Sequence, residues 1–271
     1  MFNLKPVAKI SVFTTLALFF ILGSAFAETA KEAYDKGVDL YNQNKYDYAI
    51  IELTKAININ PNNLSKAYLA AAYSLRGLIY SYGRDVNQAI LDYSKAIELD
   101  PIYTSVYERR GLLYEKEGNY DQAILDYTKG IEISPTNDNF QVSFQLWRGR
   151  AYFHKGDYDK AISDYTKVIE FCTKNTPACY MIDSAVYLSR GEAYAAKGNY
   201  DQAILDYTKG IEISSTTAPF LGSFQFRRGE AYFHKGDYDK AWEDVHRGEL
   251  SKAKADPAFL DKLKKASGRE K

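Results

Sequence analysis

A long internal repeat is the feature that most constrains this chain. The stretch GNYDQAILDYTKGIEIS begins at Gly118 and recurs unchanged at Gly198, 80 residues later. A second stretch, RGRAYFHKGDYDKA from Arg148, returns at the same offset from Arg228 with one substitution. Periodicity of this kind indicates an array of small units stacked in a line. The identity records a duplication and is no evidence that each copied residue has a task.

A shorter period lies inside the copied block. Six glycines, 34 to 42 residues apart, each have an alanine twelve residues later. We call these the reference glycines: Gly37, Gly77, Gly111, Gly149, Gly191 and Gly229. In the second half of a unit, apolar residues recur at helical spacing, as at Tyr120, Ala123, Ile124, Tyr127 and Ile131. Each unit therefore reads as two helices, with Gly118 or its equivalent suited to the left-handed turn between them.

This template resembles the tetratricopeptide repeat, a helix–turn–helix unit of about 34 residues. The resemblance covers residues 30–255 and implies an all-α, right-handed superhelical solenoid of six units. The expected windows are 30–63, 70–103, 104–137, 142–175, 184–217 and 222–255. Extra residues fall between windows, and four of them would lengthen a first helix by about one turn. The chain departs from the family where Gly130, Val168, Gly210 and Gly248 replace its usual second alanine.

Residues 256–271 are expected to form a capping helix and tail. Asp256 and Pro257 suit a helix start, and Phe259, Leu260 and Leu263 fall on one face. Repeat arrays need such a cap to cover the apolar face of the last unit. A helix on a membrane surface is the alternative, which the shortness of the apolar face disfavours.

The first 27 residues have the composition of a secretory signal peptide. Lys5 and Lys9 precede an apolar run over 10–22, and Ala25-Phe26-Ala27 has the small-x-small form of a cleavage site. We therefore expect an exported protein, periplasmic or fully secreted. An uncut membrane anchor is the alternative, but the run is shorter than a span of about 20 residues.

Charge and motifs exclude several classes of function. The full chain has 35 basic and 35 acidic residues, which is not the basic excess of a nucleic-acid-binding protein. The sequence contains no zinc motif, phosphate-binding glycine loop or nucleophile elbow. We expect no enzyme activity, no cofactor, no metal and no small-molecule substrate. We also expect no stable membrane insertion after signal cleavage.

The two cysteines, Cys172 and Cys179, lie close together in CTKNTPAC. In an oxidising compartment such a pair is expected to form a disulfide. A redox-active pair is the alternative, but its cysteines are normally separated by two residues rather than six.

Two further patterns predict contacts between helices. A basic residue precedes every reference glycine, and an acidic residue lies fifteen positions after it, so an ion pair is expected in each unit. Fourteen of the 24 tyrosines occupy three template positions, which is typical of packing between helices with the hydroxyl at the edge.

The resemblance implies that first helices line a concave groove. Ten candidate groove residues follow from the family pattern: Tyr41, Tyr82, Glu108, Arg150, Phe153, His154, Glu192, Glu230, Phe233 and His234. The position where the family's carboxylate clamp places asparagine holds no asparagine in any of the six units. The chain is therefore expected to lack that clamp.

We therefore expect a non-enzymatic scaffold or assembly factor of the periplasm, which binds a peptide or helix of a protein partner. Two alternatives remain open at this stage. One is a secreted factor that acts on a host or neighbouring cell. The other is a regulatory or substrate-presenting subunit of an envelope hydrolase.

Overall fold

The computed structural model describes residues 29–59, 65–83, 85–135, 139–174, 183–214, 221–251 and 253–269. The chain divides into two compact units, 1–101 and 102–271. The predicted signal peptide and Cys179 lie outside the described residues, so the disulfide stays a prediction.

The fold is all-α, and the described residues form thirteen helices. The first unit contains α1 (Ala30–Asn42), α2 (Tyr46–Asn58), α3 (Lys66–Tyr82) and α4 (Val86–Leu99). The second contains α5 (Thr104–Lys116), α6 (Tyr120–Ile133), α7 (Asn139–Lys155), α8 (Tyr158–Lys174), α9 (Asp183–Ala196), α10 (Tyr200–Ile213), α11 (Leu221–His234), α12 (Tyr238–Leu250) and α13 (Pro257–Ser267). Within each unit, every helix packs against the next one along the chain.

Glycines and capping asparagines set the turn between α5 and α6 and the turn between α9 and α10. Gly118 and Gly198 have φ values of +74° and +78°, the left-handed conformation that glycine adopts without a steric penalty. Asn119 and Asn199 then cap α6 and α10, where each side chain accepts a hydrogen bond from a backbone N–H in the first turn. The predicted helix–turn–helix unit is confirmed here.

The reference glycines let the two helices of a pair approach closely. A Cβ on Gly111 would lie 2.5 Å from the ring of Tyr127, and one on Gly191 would lie 2.5 Å from the ring of Tyr207. The alanines twelve positions on, such as Ala123 and Ala203, are fully buried. A small residue on each helix thus allows the close approach, and the tyrosine ring of the second helix packs against the glycine of the first.

The predicted ion pairs are all present. In the last five repeats an arginine donates two hydrogen bonds to one aspartate, as Arg190 does to Asp206 at 2.8 and 2.7 Å. Lys36 and Glu52 make the equivalent pair in the first repeat. Arg190 also donates to Thr166 of the preceding repeat at 3.0 Å. The planar guanidinium therefore joins both helices of its own repeat to the one before.

Two of the missing second alanines are explained by the next repeat. The Gly130 backbone faces the ring of Phe144 and the Gly210 backbone faces Phe224, where an added Cβ would lie 2.4 and 2.1 Å from ring carbons. At the junction between these two, Val168 of one repeat and Val186 of the next share one core cluster. A glycine on the second helix is thus paired with a phenylalanine on the next first helix, and a valine is paired with a valine. The total side-chain volume at the junction stays similar, which keeps it filled.

Added residues lengthen two of the first helices. Helices α3 and α7 each have 17 residues, four more than α1 and α5, as the sequence predicts. Helices α9 and α11 have only 14 each. Most residues inserted before them lie outside the described part of the chain.

The C-terminal helix α13 covers the last pair, as predicted for a cap. Phe259 and Leu263 are buried against Trp242 and Val245. The indole N–H of Trp242 donates to the Ser267 hydroxyl at 3.0 Å, which ties the end of α13 to α12.

Candidate functional site

The candidate site lies on the surface formed by the ends of first helices, within the second unit. Each pocket there contains a histidine five residues past a reference glycine and a tyrosine from the preceding repeat. His154 stacks on Tyr120 with ring centroids 5.6 Å apart, and His234 stacks on Tyr200 at 4.8 Å. Successive repeats therefore share each aromatic wall.

The first pocket, which we call the Arg150 pocket, has a volume of about 230 Å³. Six residues line it: Leu112, Glu115, Lys116, Tyr120, Arg150 and His154. Arg150 on α7 donates to both carboxylate oxygens of Glu115 on α5, at 2.5 and 2.9 Å. These hydrogen bonds raise the pKa of Arg150. The charge of Arg150 is thus balanced inside the pocket, and Lys116 leaves it with a positive excess.

The second pocket, which we call the Glu230 pocket, has a volume of about 350 Å³. Nine residues line it: Phe153, Glu192, Ala195, Tyr200, Tyr207, Arg227, Glu230, Ala231 and His234. Arg227 on α11 donates to Glu192 on α9 and to Glu230 on its own helix, each at 3.0 Å. One guanidinium therefore faces two carboxylates.

Burial changes the protonation equilibria of this pocket. Desolvation raises the pKa of Glu192, against the opposing effect of Arg227 and its hydrogen bond. Desolvation also raises the pKa of Tyr207, helped by the nearby charge of Glu192. A carboxylate whose charge is poorly solvated interacts more strongly with an incoming cation than one in open water.

The two pockets adjoin at the end of α7. Phe153 lines the Glu230 pocket and His154 lines the Arg150 pocket, and their ring centroids are 5.7 Å apart. The surface thus places a positive and a negative pocket side by side, separated by aromatic rings.

The structure gathers six of the ten candidate residues into these pockets. Arg150 and His154 lie in the first, and Phe153, Glu192, Glu230 and His234 in the second. The other four lie elsewhere: Tyr41, Tyr82, Glu108 and Phe233.

Those four have other surroundings. In the first unit, Tyr46 lies between Tyr41 and Tyr82, with ring centroids 5.9 and 6.4 Å from theirs. Glu108 on α5 is half-buried, and desolvation raises its pKa. Phe233 packs edge-on against Phe259 of the capping helix, at 5.8 Å.

Sequence reasoning missed several members of both pockets. Arg227, two positions before a reference glycine, is not among the ten candidates, and Tyr200 and Tyr207 were interpreted as packing residues. A comparison of the two copies at the 80-residue offset would have pointed to the site. Arg150 becomes Glu230 there, the single change between the stretches 148–161 and 228–241.

No group of three or more histidine, cysteine, aspartate or glutamate residues is placed to hold a metal ion in the described residues. No helix among them is long and apolar enough to cross a bilayer.

Models of the tetratricopeptide repeat match residues 70–103, 105–137, 143–175 and 184–217. One stretch of 75 residues is 37% identical to Hsp70-Hsp90 organizing protein 1 of Glycine max, covering 28% of this chain. The match spans only 12% of that curated relative.

Solved structures are similar in fold at low identity. The C-terminal part of a TPR repeat-containing protein from Cytophaga hutchinsonii has a TM-score of 0.67 at 21% identity, over 94% of this chain and 93% of that one. MamA has a TM-score of 0.58 at 22% identity, over 67% and 91%. YrrB, described as a TPR protein with an unusual peptide-binding site, has 0.56 at 20%, over 73% and 91%. With the repeat models, the helical hairpins and the reference glycines in agreement, this chain belongs to the tetratricopeptide repeat proteins.

Proposed function

We propose that this chain is a non-enzymatic scaffold that binds a peptide or helix of a partner protein on the first-helix surface of its second unit. The observation that carries the proposal is the pair of adjoining pockets at Phe153 and His154. Both combine aromatic walls with charged groups, a composition that suits side chains of a bound segment. Tetratricopeptide repeat proteins bind protein or peptide partners, and YrrB is described as having a peptide-binding site.

The proposed location is the periplasm of a bacterium. The support is the N-terminal sequence alone, with its two lysines, apolar run and small-x-small site. Expression of the full sequence in a bacterium, followed by fractionation and mass measurement, tests this. A periplasmic product cleaved after Ala27 is expected. Accumulation in the culture medium would instead support the secreted alternative, and an uncleaved membrane-bound product would contradict export as a free protein.

Selection from a phage-displayed library of random twelve-residue peptides tests the binding surface. The bait is the protein purified after expression of its full sequence. A variant with Arg150→Ala, His154→Ala, Glu230→Ala and His234→Ala removes side chains that are exposed or half-buried. We expect peptides enriched on the wild type to bind this variant at least about tenfold more weakly, because both pockets lose a charged and an aromatic side chain that contact the peptide.

The control variant carries Lys209→Ala, Glu212→Ala, Glu243→Ala and Arg247→Ala. These residues are exposed on α10 and α12, away from both pockets. Circular dichroism establishes that both variants stay helical. Peptides that bind all three proteins equally would place the site elsewhere, and a library that yields no binder would contradict the proposed function.

A further inference from the structure

The Arg150 pocket and the Glu230 pocket are the same site in two copies. All but one of the residues that line the first pocket have their duplicates, 80 positions later, in the second. The pairs are Leu112 and Glu192, Glu115 and Ala195, Tyr120 and Tyr200, Arg150 and Glu230, and His154 and His234. The geometry of the site has thus been kept through the duplication.

The aromatic walls are retained, whereas the charged positions are not. Tyrosine and histidine occupy the same places and stack in both copies. Leucine, glutamate and arginine of the first copy are replaced by glutamate, alanine and glutamate in the second. The stretches 118–134 and 198–214 are identical, and the stretches 148–161 and 228–241 differ at a single position, where Arg150 is replaced by Glu230. Within these stretches the one substitution lies in the pocket, whereas α5 and α9 also differ outside it, as at Glu108 and Leu188.

These substitutions reverse the charge of the pocket. The Arg150 pocket has two cations, Arg150 and Lys116, facing one carboxylate. The Glu230 pocket has two carboxylates, Glu192 and Glu230, facing the single cation Arg227. Arg227 is itself new, because the first copy has Trp147 at that position. Arg227 keeps the two carboxylates together and still leaves a negative excess.

The walls of the Glu230 pocket suit a cation with an apolar stem. Phe153, Tyr200 and His234 are aromatic residues of its lining, and the almost fully buried Tyr207 forms part of the wall. Its volume of about 350 Å³ is at the lower end of ligand-sized pockets, enough for one long side chain. Aromatic faces attract ammonium and guanidinium groups, and methylene stems of lysine and arginine pack on apolar surface.

We propose that the Glu230 pocket is a specificity pocket that binds one lysine or arginine side chain of the partner segment. The inference rests on the proposed function and adds that the Glu230 pocket, the second copy, selects a positively charged side chain. The first copy, with its opposite charge, does not share this preference.

The composition of the selected peptides tests the inference separately from the function. Peptides from the twelve-residue library that bind the wild type are expected to share a lysine or arginine at one aligned position. Replacing it by methionine, which keeps an unbranched stem, should weaken binding at least about tenfold. Peptides that bind in the pockets without such a residue would overturn the inference and leave the proposed function standing.

Two variants assign the preference to the pocket. Glu192→Gln with Glu230→Gln removes both charges and keeps the shape. Glu192→Leu with Ala195→Glu and Glu230→Arg installs the side chains of the first copy, each already present at that template position. On both variants the lysine-to-methionine exchange should change binding less than about twofold.

The matched control is Glu212→Gln with Glu243→Gln, which makes the same change in net charge at exposed positions outside the pocket. It should keep the full tenfold effect of the exchange. If the control loses the effect as the pocket variants do, the attraction comes from overall charge and the inference is wrong. If the pocket variants retain the effect, the cation binds elsewhere and the inference is equally wrong.

Discussion

Gly210 and Phe224 illustrate how a single position depends on the next repeat. The α10 backbone at Gly210 faces the Phe224 ring, so a side chain at 210 would collide with it. The chain contains a second solution to the same junction, where Val168 and Val186 are buried in one cluster. In the first solution the phenylalanine of the next repeat supplies all the side-chain volume. In the second, a valine on each helix supplies part of it.

We predict that Gly210→Val lowers the free energy of unfolding by about 1–3 kcal/mol, because the core is overpacked. Phe224→Val should cost about 1–3 kcal/mol through a cavity. The double variant recreates the valine pair. Its loss of unfolding free energy should be at least about 1 kcal/mol smaller than the sum of the two single losses. Urea unfolding followed by circular dichroism measures all three. Strictly additive costs would show that the two positions do not share the junction.

Buried tyrosines give the protein a predictable response to alkali. Burial raises the pKa of Tyr127, Tyr165 and Tyr207 above the ordinary value of 10.0. The unfolded chain therefore releases these protons near pH 10 while the folded chain still holds them. Because the folded state then binds more protons, stability is complete below about pH 10 and falls as the pH rises further.

Above about pH 10, the free energy of unfolding should fall by up to about 1.4 kcal/mol per pH unit for each of these tyrosines. Urea unfolding between about pH 8 and pH 11 measures it, and Tyr207→Phe should make the decline shallower. Tyr48→Phe removes a hydroxyl from a residue that is 65% exposed and serves as the control. An equal decline in wild type and Tyr207→Phe would contradict a role for this hydroxyl.

At the scale of the element, the turn inside the first repeat and inside each of the last four depends on one left-handed residue. Glycine fills the position in the last four repeats, with φ between +74° and +85°. Asn44 fills it in the first repeat, with φ of +59°. Asparagine tolerates this region better than other residues with a side chain, which explains the exchange.

We predict that Gly198→Ala lowers the free energy of unfolding by about 1–2 kcal/mol, because alanine is strained at positive φ. No atom lies within 4 Å of the added Cβ, so the backbone alone is responsible. Gly198→Asn should cost clearly less, as Asn44 suggests. Thermal unfolding of the two variants measures the difference, and equal losses would show that φ is not the cause.

At the scale of the whole molecule, a repeat array is held together by contacts between neighbours. Stability is then a sum of repeat and junction contributions rather than the property of one core. The capping helix α13 contributes the last junction through Phe259 and Leu263. A change there should act mainly on the repeat next to it.

We predict that Leu263→Ala costs about 2–5 kcal/mol at this junction, because a fully buried leucine is removed. Hydrogen exchange should show lost protection in α11 and α12, with little change in α1 to α4. Lys262→Ala, at an exposed position of the same helix, is the control. A uniform loss over the whole chain would contradict local stabilisation and indicate one cooperative unit.

The sequence by itself determined the helical hairpins, the small residues between them, the buried arginine–aspartate pairs and the cap. Each follows from the spacing of residues within one repeat. Six imperfect copies of the template show which residue types recur at each position. The arginine and aspartate of a pair are 16 residues apart, joined by a turn whose geometry the template dictates.

Only the tertiary structure decided which side chains share a pocket and which glycine faces which phenylalanine. The Arg150–Glu115 and Arg227–Glu192 contacts both join residues 35 positions apart, in different repeats. Residues inserted between repeats change the length of the first helices that meet there, as in α3 and α7. Helical periodicity reports the face of one helix. A pocket needs the packing of two helices, which no local pattern encodes.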